Sequence, residues 1–286
     1  MSPGGGQYGR LLSEAASRLA IPLVALDPSL LAPAKQISAV SLLHPTLSHV
    51  EGSYTNADDI KKIVERVNIL TIEIEHVNVQ ALFEIRDAYR TTGGYLGKGV
   101  TIFPSPETIA IVQDKLSQKQ FLRNLDILVT DFVKLSEPTV NGVAQAAETL
   151  GWPLLLKARR QAYDGRGNSL IHATADAQRA LDTLHGQLYA ERYVANIVRE
   201  IVVILVRGAD GDIRSYGAVE NVHVGRIGHL VRAPLRHSDS DVSVRAQSQA
   251  EKAIRSLPDG AVGVFGVEFF LLSDGTFEIM VASYLQ

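Results

Sequence analysis

The sequence predicts an α/β protein: a parallel-sheet unit, then a small α+β unit built around a glycine hairpin, then a larger, mostly antiparallel sheet. Three observations carry that reading. Over the first third, short apolar runs alternate with helical periodicity, the pattern of strands and helices wound into a parallel sheet. In the middle, Leu154-Leu155-Leu156-Lys157 runs into glycines at 165 and 167. In the last third, β-type runs follow one another with a single long helix among them.

Taken in order, Gly4-Gly5-Gly6-Gln7-Tyr8-Gly9-Arg10 opens a helix over 11–20, and 21–27 follows as a strand. A glycine turn, a helix and a strand are two-thirds of a dinucleotide-type βαβ unit. The completing strand belongs ahead of the glycines, where Met1-Ser2-Pro3 stands, so the expectation is a domain lacking its first strand. Helices over 57–67 and 79–89 flank a strand over 69–73. Parallel sheets gather ligands at the carboxyl ends of their strands, and Thr71-Ile72-Glu73-Ile74-Glu75-His76 lies at such an end. Glu73 and Glu75 share a face if the strand runs through them. Paired carboxylates there suit ribose hydroxyls or the anchoring of a loop; a solvated strand end fits equally well.

After a loop at 93–99, Ser105 or Pro106 starts one helix reaching Leu122. Strands are expected over 128–135, 154–157, 169–171 and 188–194, with helices over 143–150 and 175–184. The last unit takes strands over 200–207, 213–222 and 262–272 and a helix over 242–257.

Composition bounds the function. With 286 residues, 46% hydrophobic and 21% charged, the chain is long enough for two or three small cores. A net charge of −3 gives no electrostatic reason to expect nucleic acid or an anionic membrane as partner. The absence of cysteine excludes disulfides, thiolate metal sites and cysteine nucleophiles. None of the eight histidines forms a spacing pair typical of a metal site. No apolar run approaches the roughly 20 residues that span a bilayer, and the first residues do not read as a secretory signal, so a cytoplasmic protein is expected.

The middle block holds the chemistry. An apolar strand ending in Lys157 delivers one cation to a fixed place. Tyr163-Asp164-Gly165-Arg166-Gly167-Asn168 then supplies glycines that let the backbone approach a ligand closely. Consecutive amides in such a turn form an anion-binding concavity, to which Lys157 and Arg166 add full charges. It is not a Walker loop, since no Gly-x-x-x-x-Gly-Lys-Ser/Thr occurs. Locally, a polyphosphate grip and a plain hairpin tip are equally good readings. Glu268 differs, because a carboxylate inside an apolar run costs several kcal/mol unless it is paired or metal-bound.

The order of the blocks is more specific than any one of them. Gly4-Gly5-Gly6-Gln7, Pro33-Ala34-Lys35-Gln36, Thr71-Ile72-Glu73-Ile74-Glu75-His76, Pro104-Ser105-Pro106-Glu107, Gln113-Asp114-Lys115, the 163–168 loop, Tyr189-Ala190-Glu191-Arg192 and Gly266-Val267-Glu268 follow one another. Together they resemble the ATP-grasp part of fungal phosphoribosylaminoimidazole carboxylase, whose bacterial counterpart is N5-carboxyaminoimidazole ribonucleotide synthetase. The resemblance implies an N-terminal pre-ATP-grasp domain over 1–108, a small ATP-grasp subdomain over 109–188 and a larger one over 189–286. It implies ATP and Mg2+, with bicarbonate activated as carboxyphosphate and passed to the amine of 5-aminoimidazole ribonucleotide in purine biosynthesis. Family members pair as dimers, which composition neither supports nor opposes here.

By the same resemblance, Lys115 and Lys157 contact phosphate, and Ala162, Tyr163, Asp164, Gly165, Arg166, Gly167 and Asn168 form the loop over it. Tyr163, Asp164 and Arg166 act at the imidazole substrate and carboxyphosphate. Glu191, Arg192, Tyr193 and Val194 are the strand that hydrogen-bonds adenine. Glu200 holds ribose, although the stretch from Glu191 is one residue long, and His223 lines the nucleotide site. Gly6, Gln7, Glu73 and Glu75 serve the imidazole substrate, and Glu268 is a magnesium ligand.

The departures are equally definite. Where the family continues Ile-Asn-Glu-Ile-Ala-Pro-Arg, this chain has Ile279-Met280-Val281-Ala282-Ser283-Tyr284. Met280 and Val281 cannot replace oxygen ligands for a hard cation. Glu278, an odd number of residues from Val281, is expected to face away. With both ends reading as cut, two functions are expected to compete: the carboxylase, impaired, and a nucleotide-binding pseudo-enzyme or fragment without turnover. A dinucleotide oxidoreductase is disfavoured by the missing strand.

Overall fold

The computed structural model describes residues 5–38, 48–90, 97–160, 167–224, 227–236 and 241–285. Its first unit alternates α1 (Gln7–Arg18), β1 (Leu26–Asp27), α2 (Pro33–Ile37), β2 (Val50–Glu51), α3 (Ala57–Val64), β3 (Ile69–Thr71), α4 (Val79–Tyr89) and β4 (Thr101–Phe103). Asn56 and Asn78 cap α3 and α4, each side chain accepting first-turn amides that no helical carbonyl satisfies. As expected, the strands pair in parallel, β1 with β2 and β3 with β4.

They form two separate pairs, however, and the strands expected over 21–27 and 69–73 shrink to two and three residues. Between the pairs lies a cavity of about 540 Å³, lined by Leu12 and Ala16 of α1, by Val24 and Leu26, and by Leu70 and Ile72. These are the facing walls of an interrupted sheet. With no ladder on that side, residues 21–25 have fewer hydrogen bonds to hold them as strand, and they are irregular.

The single helix expected up to Leu122 is two, α5 (Pro106–Gln113) and α6 (Lys115–Arg123). Ser105 caps α5 with Pro106 in its first turn. Asp114 breaks the run with extended angles (φ −108°, ψ 102°), and its carboxylate caps α6 by accepting from Ser117 N–H.

The small unit has β5 (Phe132–Lys134), α7 (Val140–Leu150), β6 (Leu154–Ala158), β7 (Asn168–Ile171), α8 (Thr174–Thr183) and β8 (Leu188–Arg192). Its antiparallel sheet runs β5-β8-β6-β7. Strand alternation decides what β6 presents. Leu154, Leu156 and Ala158 are buried with Val143, Ala177 and Ile171, which leaves Leu155 and Lys157 on the opposite face.

The last unit is a six-stranded antiparallel sheet of β9 (Ile197–Arg207), β10 (Ile213–Ser215), β11 (Val219–Val224), β12 (Ile227–Arg232), β13 (Gly263–Leu272) and β14 (Phe277–Leu285), backed by α9 (Val242–Arg255). The strand expected over 213–222 is split. Ser215 pairs with Leu205 and Val219 with Val202, four steps against three, and the extra residue interrupts the ladder.

One continuous core joins the first and last units through α5 and α6, while the small unit has its own. Phe265, 1% exposed on β13, sits deep in the larger core. Phe265→Ala is expected to cost about 3–5 kcal/mol, read as a lower urea midpoint with an unchanged slope.

Candidate functional site

Lys157 and Glu191 face each other across the β6–β8 ladder. Lys157 pairs with Tyr189 in register and Leu155 with Glu191, so these side chains share the face turned toward α6. Glu191 is 2% exposed and gathers three partners. Tyr189 Oη donates to Oε1 at 2.8 Å, Lys157 Nζ donates to Oε2 at 3.2 Å, and Lys119 Nζ of α6 lies 3.3 Å from Oε1. Burial alone pushes the Glu191 carboxyl up, but Lys157 and Lys119 outweigh it and hold it below the ordinary range. Burial pushes the Lys119 amine down, opposed by Glu191, and sends the Tyr189 hydroxyl well up.

Lys115 enters the same space because of Asp114. That carboxylate takes Arg159 by two bonds, Nε at 3.1 Å and Nη2 at 2.5 Å, and Lys115 N–H donates to Arg159 O at 2.9 Å. The start of α6 is thereby pinned to the end of the strand that carries Lys157. Burial lowers the Lys115 amine, with Glu75 pulling it up and Lys157 pushing it down.

Burial raises Asp114 too, yet the hydrogen bonds and charge of Arg159 hold it below its ordinary value. Its ion pair therefore stabilises the fold fully above the unfolded carboxylate pKa, and that contribution is lost as pH falls through the lower folded value. Asp114→Asn is expected to flatten the acid limb of a stability-against-pH curve while leaving its neutral slope alone, as read by melting temperature in buffers of graded pH.

The opposite wall belongs to the last unit. Phe270 pairs with Glu200 and Glu268 with Val202, which puts Glu200, Glu268 and Phe270 on one face of the sheet. His223 Nδ1 of β11 lies 2.6 Å from Glu200 Oε2. Burial raises the Glu268 carboxyl; His223 lowers it, Glu200 raises it, and Lys115 and Lys157 lower it. The acids of one wall thus feel the cations of the other.

Glu278 is a correction. A β-bulge between Glu268 and Phe269 pairs Glu268 with Val281 and Phe270 with Glu278, so the odd spacing no longer turns Glu278 away. It stands on the Glu268 face, 6% exposed, and Arg192 Nη2 donates to it at 2.5 Å.

At the other end of the cleft, Gly6 is buried as the N-cap of α1 and Gln7 is its exposed first residue. Glu73 accepts from Gly9 N–H, and burial, then the charge of Asp27, raises its carboxyl. Asp27, wholly buried, accepts from Gly5 N–H at 2.9 Å. Gln113 Nε2 donates to the carbonyls of Glu75 and Val77 at 2.6 and 2.9 Å, setting Glu75 beside Lys115.

Of the glycine loop, Ala162, Tyr163, Asp164, Gly165 and Arg166 lie outside the described residues. Gly167 takes a left-handed φ of +90°, and Asn168, paired with Lys157, has a buried Oδ1 with no hydrogen-bond partner among the described residues. Tyr193 is exposed and Val194 buried just beyond β8. Among the described residues, no three His, Asp or Glu side chains converge on a metal position.

Sequence reasoning missed Lys119, Tyr189 and the roles of Asp114 and Asp27. Lys119 carried a readable signal: it lies four residues after Lys115, one helical turn along the same face.

The ribonucleotide synthetase preATP-grasp domain model matches residues 3–113, and the ATP-grasp domain model matches 120–282, more than half the chain. The chain belongs to the ATP-grasp family. Within the family it is similar to phosphoribosylaminoimidazole carboxylase of Candida albicans, 40% identical over 272 residues, and of Saccharomyces cerevisiae, 41% identical over 273. Each match covers 95% of this chain and 44% of the relative, so this ATP-grasp chain spans less than half the length of those proteins. Among solved structures, carboxyaminoimidazole ribonucleotide synthase from Aspergillus clavatus complexed with ATP is 36% identical, with a TM-score of 0.85 over 98% of this chain and 68% of that one. A second structure from that organism, at 35% identity, holds ADP and the aminoimidazole ribonucleotide.

Proposed function

We propose that this chain is the ATP-dependent carboxylating part of a phosphoribosylaminoimidazole carboxylase, acting on 5-aminoimidazole ribonucleotide with bicarbonate in purine biosynthesis. The observation that carries the reading is the convergence of Lys115 and Lys157 on one wall with Glu200, His223 and Glu268 on the other. Two cations facing a half-buried carboxylate suit a polyphosphate whose charge is shared between lysines and a divalent ion. Asn168 Oδ1, buried and without a partner among the described residues, suits a ligand donor at the mouth of the loop.

In this reading Lys115, Lys157 and residues 162–168 hold the phosphates. The backbone from Glu191 through Arg192 and Tyr193 to Val194 reads adenine, Glu200 and His223 take the ribose side, and Glu268 supplies one oxygen to Mg2+. A hard cation that keeps several waters and binds through one carboxylate plus phosphate oxygens fits that donor set in its minimal form. When bound, the ion offsets negative charge between the phosphates.

A bicarbonate oxygen attacks the γ-phosphorus and ADP leaves. The amine of the ribonucleotide then attacks the carbon of the carboxyphosphate, inorganic phosphate leaves, and the amine proton passes to a base, for which Asp164 is our assignment. Arg166 and Tyr163 orient the carboxyphosphate and the imidazole. Gly6, Gln7, Glu73 and Glu75 receive the ribonucleotide, since helix-start amides suit an anion and the acids suit hydroxyls. The units are read as 1–108, 109–188 and 189–286. The homodimer and the cytoplasmic location belong to the same reading; one relative, from Vigna aconitifolia, is named as chloroplastic.

A second reading, nucleotide binding without turnover, is favoured by one observation: Val281 pairs with Glu268 and Met280 is the extra residue at the bulge beside it, where oxygen ligands would complete a metal site. Phosphate release measured with ATP, Mg2+, bicarbonate and the ribonucleotide separates the two. Release that requires all four supports carboxylation. Nucleotide binding with no release supports the second reading.

A further inference from the structure

We infer that Lys119 is a positioning residue whose charge keeps Lys157 available to the nucleotide. The inference rests on the nucleotide-site reading above and concerns a residue with no role in it. Lys119 is 2% exposed, on the α6 face one turn beyond Lys115. Its amine touches neither solvent nor the mouth of the cleft. It stands 3.3 Å from Glu191 Oε1, without a well-directed hydrogen bond, while Lys157 holds Oε2.

The charges explain why a buried cation is kept there. A buried carboxylate facing one lysine forms a closed pair, whose opposite charges largely cancel at a third group. Glu191 faces two. The cluster of Lys119, Lys157 and Glu191 carries a net single positive charge, and of the two lysines only Lys157 stands on the strand that leads into the glycine loop, paired in register with Asn168 and less buried than Lys119. Lys119 neutralises Glu191 from behind, and the surplus charge is presented by Lys157 at the front. Tyr189 Oη, also on Oε1, fixes which oxygen each lysine takes.

Removing Lys119 then acts on ATP without touching it. Glu191 claims Lys157 entirely, and affinity for the phosphates falls. Removing Glu191 acts in the opposite direction. This sign pattern separates electrostatic positioning from packing, because loss of packing weakens binding whichever partner is removed.

The test is MgATP affinity by calorimetry on the full chain, with melting temperature recorded for each variant. Lys119→Met is expected to weaken binding about tenfold or more. Glu191→Gln is expected to tighten it, and Lys119→Met with Glu191→Gln to return it to within about threefold of the unsubstituted protein. Lys119→Arg, which keeps the charge, is expected to hold affinity. If Lys119→Met does not fold, Glu191→Gln alone still decides: unchanged or weaker binding overturns the inference. Equal affinity in Lys119→Met, or a double variant no better than the single, also overturns it. An unsubstituted protein that binds no ATP defeats the nucleotide reading itself, a distinct outcome.

Discussion

Replacing Lys157 with alanine is expected to weaken ATP binding about tenfold to a hundredfold. A charge-assisted hydrogen bond contributes roughly 1.5–3 kcal/mol, and each 1.4 kcal/mol is a factor of ten in affinity. Lys157 is placed for that task by strand alternation: Leu154, Leu156 and Ala158 fill the small core, which turns the lysine to the cleft. The same substitution leaves Glu191, almost fully buried, with Lys119 and Tyr189 as its remaining partners. A drop in melting temperature should therefore accompany the loss of affinity, and added ATP should recover less of it than in the unsubstituted chain. Calorimetry on the folded variant is the check. Unchanged affinity removes Lys157 from the site.

The second expected effect concerns turnover. Met280→Asn combined with Val281→Glu is expected to raise magnesium-dependent phosphate release by about tenfold or more. Metal assistance to developing charge contributes several kcal/mol, and each 1.36 kcal/mol is a factor of ten in rate. The register gives the substitution its geometry, since position 281 lies directly opposite Glu268 across the β13–β14 ladder. A carboxylate there adds a second oxygen donor beside the first. By the same reasoning the unsubstituted chain should turn over orders of magnitude more slowly than a relative that carries Asn-Glu at these positions. A comparable rate would mean that the metal is held elsewhere.

Much of the fold was legible because periodicity reports burial, and burial builds these sheets. The helix 79–89 and the strand into Lys157 follow directly from which residues are apolar and how they are spaced. What failed were features that periodicity does not encode. Asp114 cuts one expected helix into two because its carboxylate is needed by Ser117 N–H and by Arg159, which is distant in sequence. The strand expected over 213–222 breaks on a one-residue mismatch with β9, visible only once the partner is known. Glu278 turned to the cleft because of a bulge, and simple alternation assumes none.

The site divided in the same way. Lys157 stood out as a charge ending an apolar run and Glu268 as one inside such a run, Lys115 and Glu191 came from the resemblance alone, and the structure sets these residues on facing walls. Lys119 and Tyr189 read as ordinary helix and strand positions, because what makes them matter is Glu191 arriving from β8.

The central claim is that this cleft uses ATP to phosphorylate bicarbonate and passes the resulting carboxyl group to an amine, releasing phosphate. It is tested most directly by oxygen transfer. With bicarbonate labelled in oxygen-18, ATP, Mg2+ and 5-aminoimidazole ribonucleotide, the oxygen that attacks phosphorus stays with it when the amine displaces phosphate at carbon. Mass spectrometry of the released phosphate, even from a slow reaction, should then show one labelled oxygen per phosphate, dependent on the ribonucleotide. Phosphate whose one new oxygen comes from water would contradict the account and leave an ATP-binding protein that hydrolyses its nucleotide without carboxylating anything.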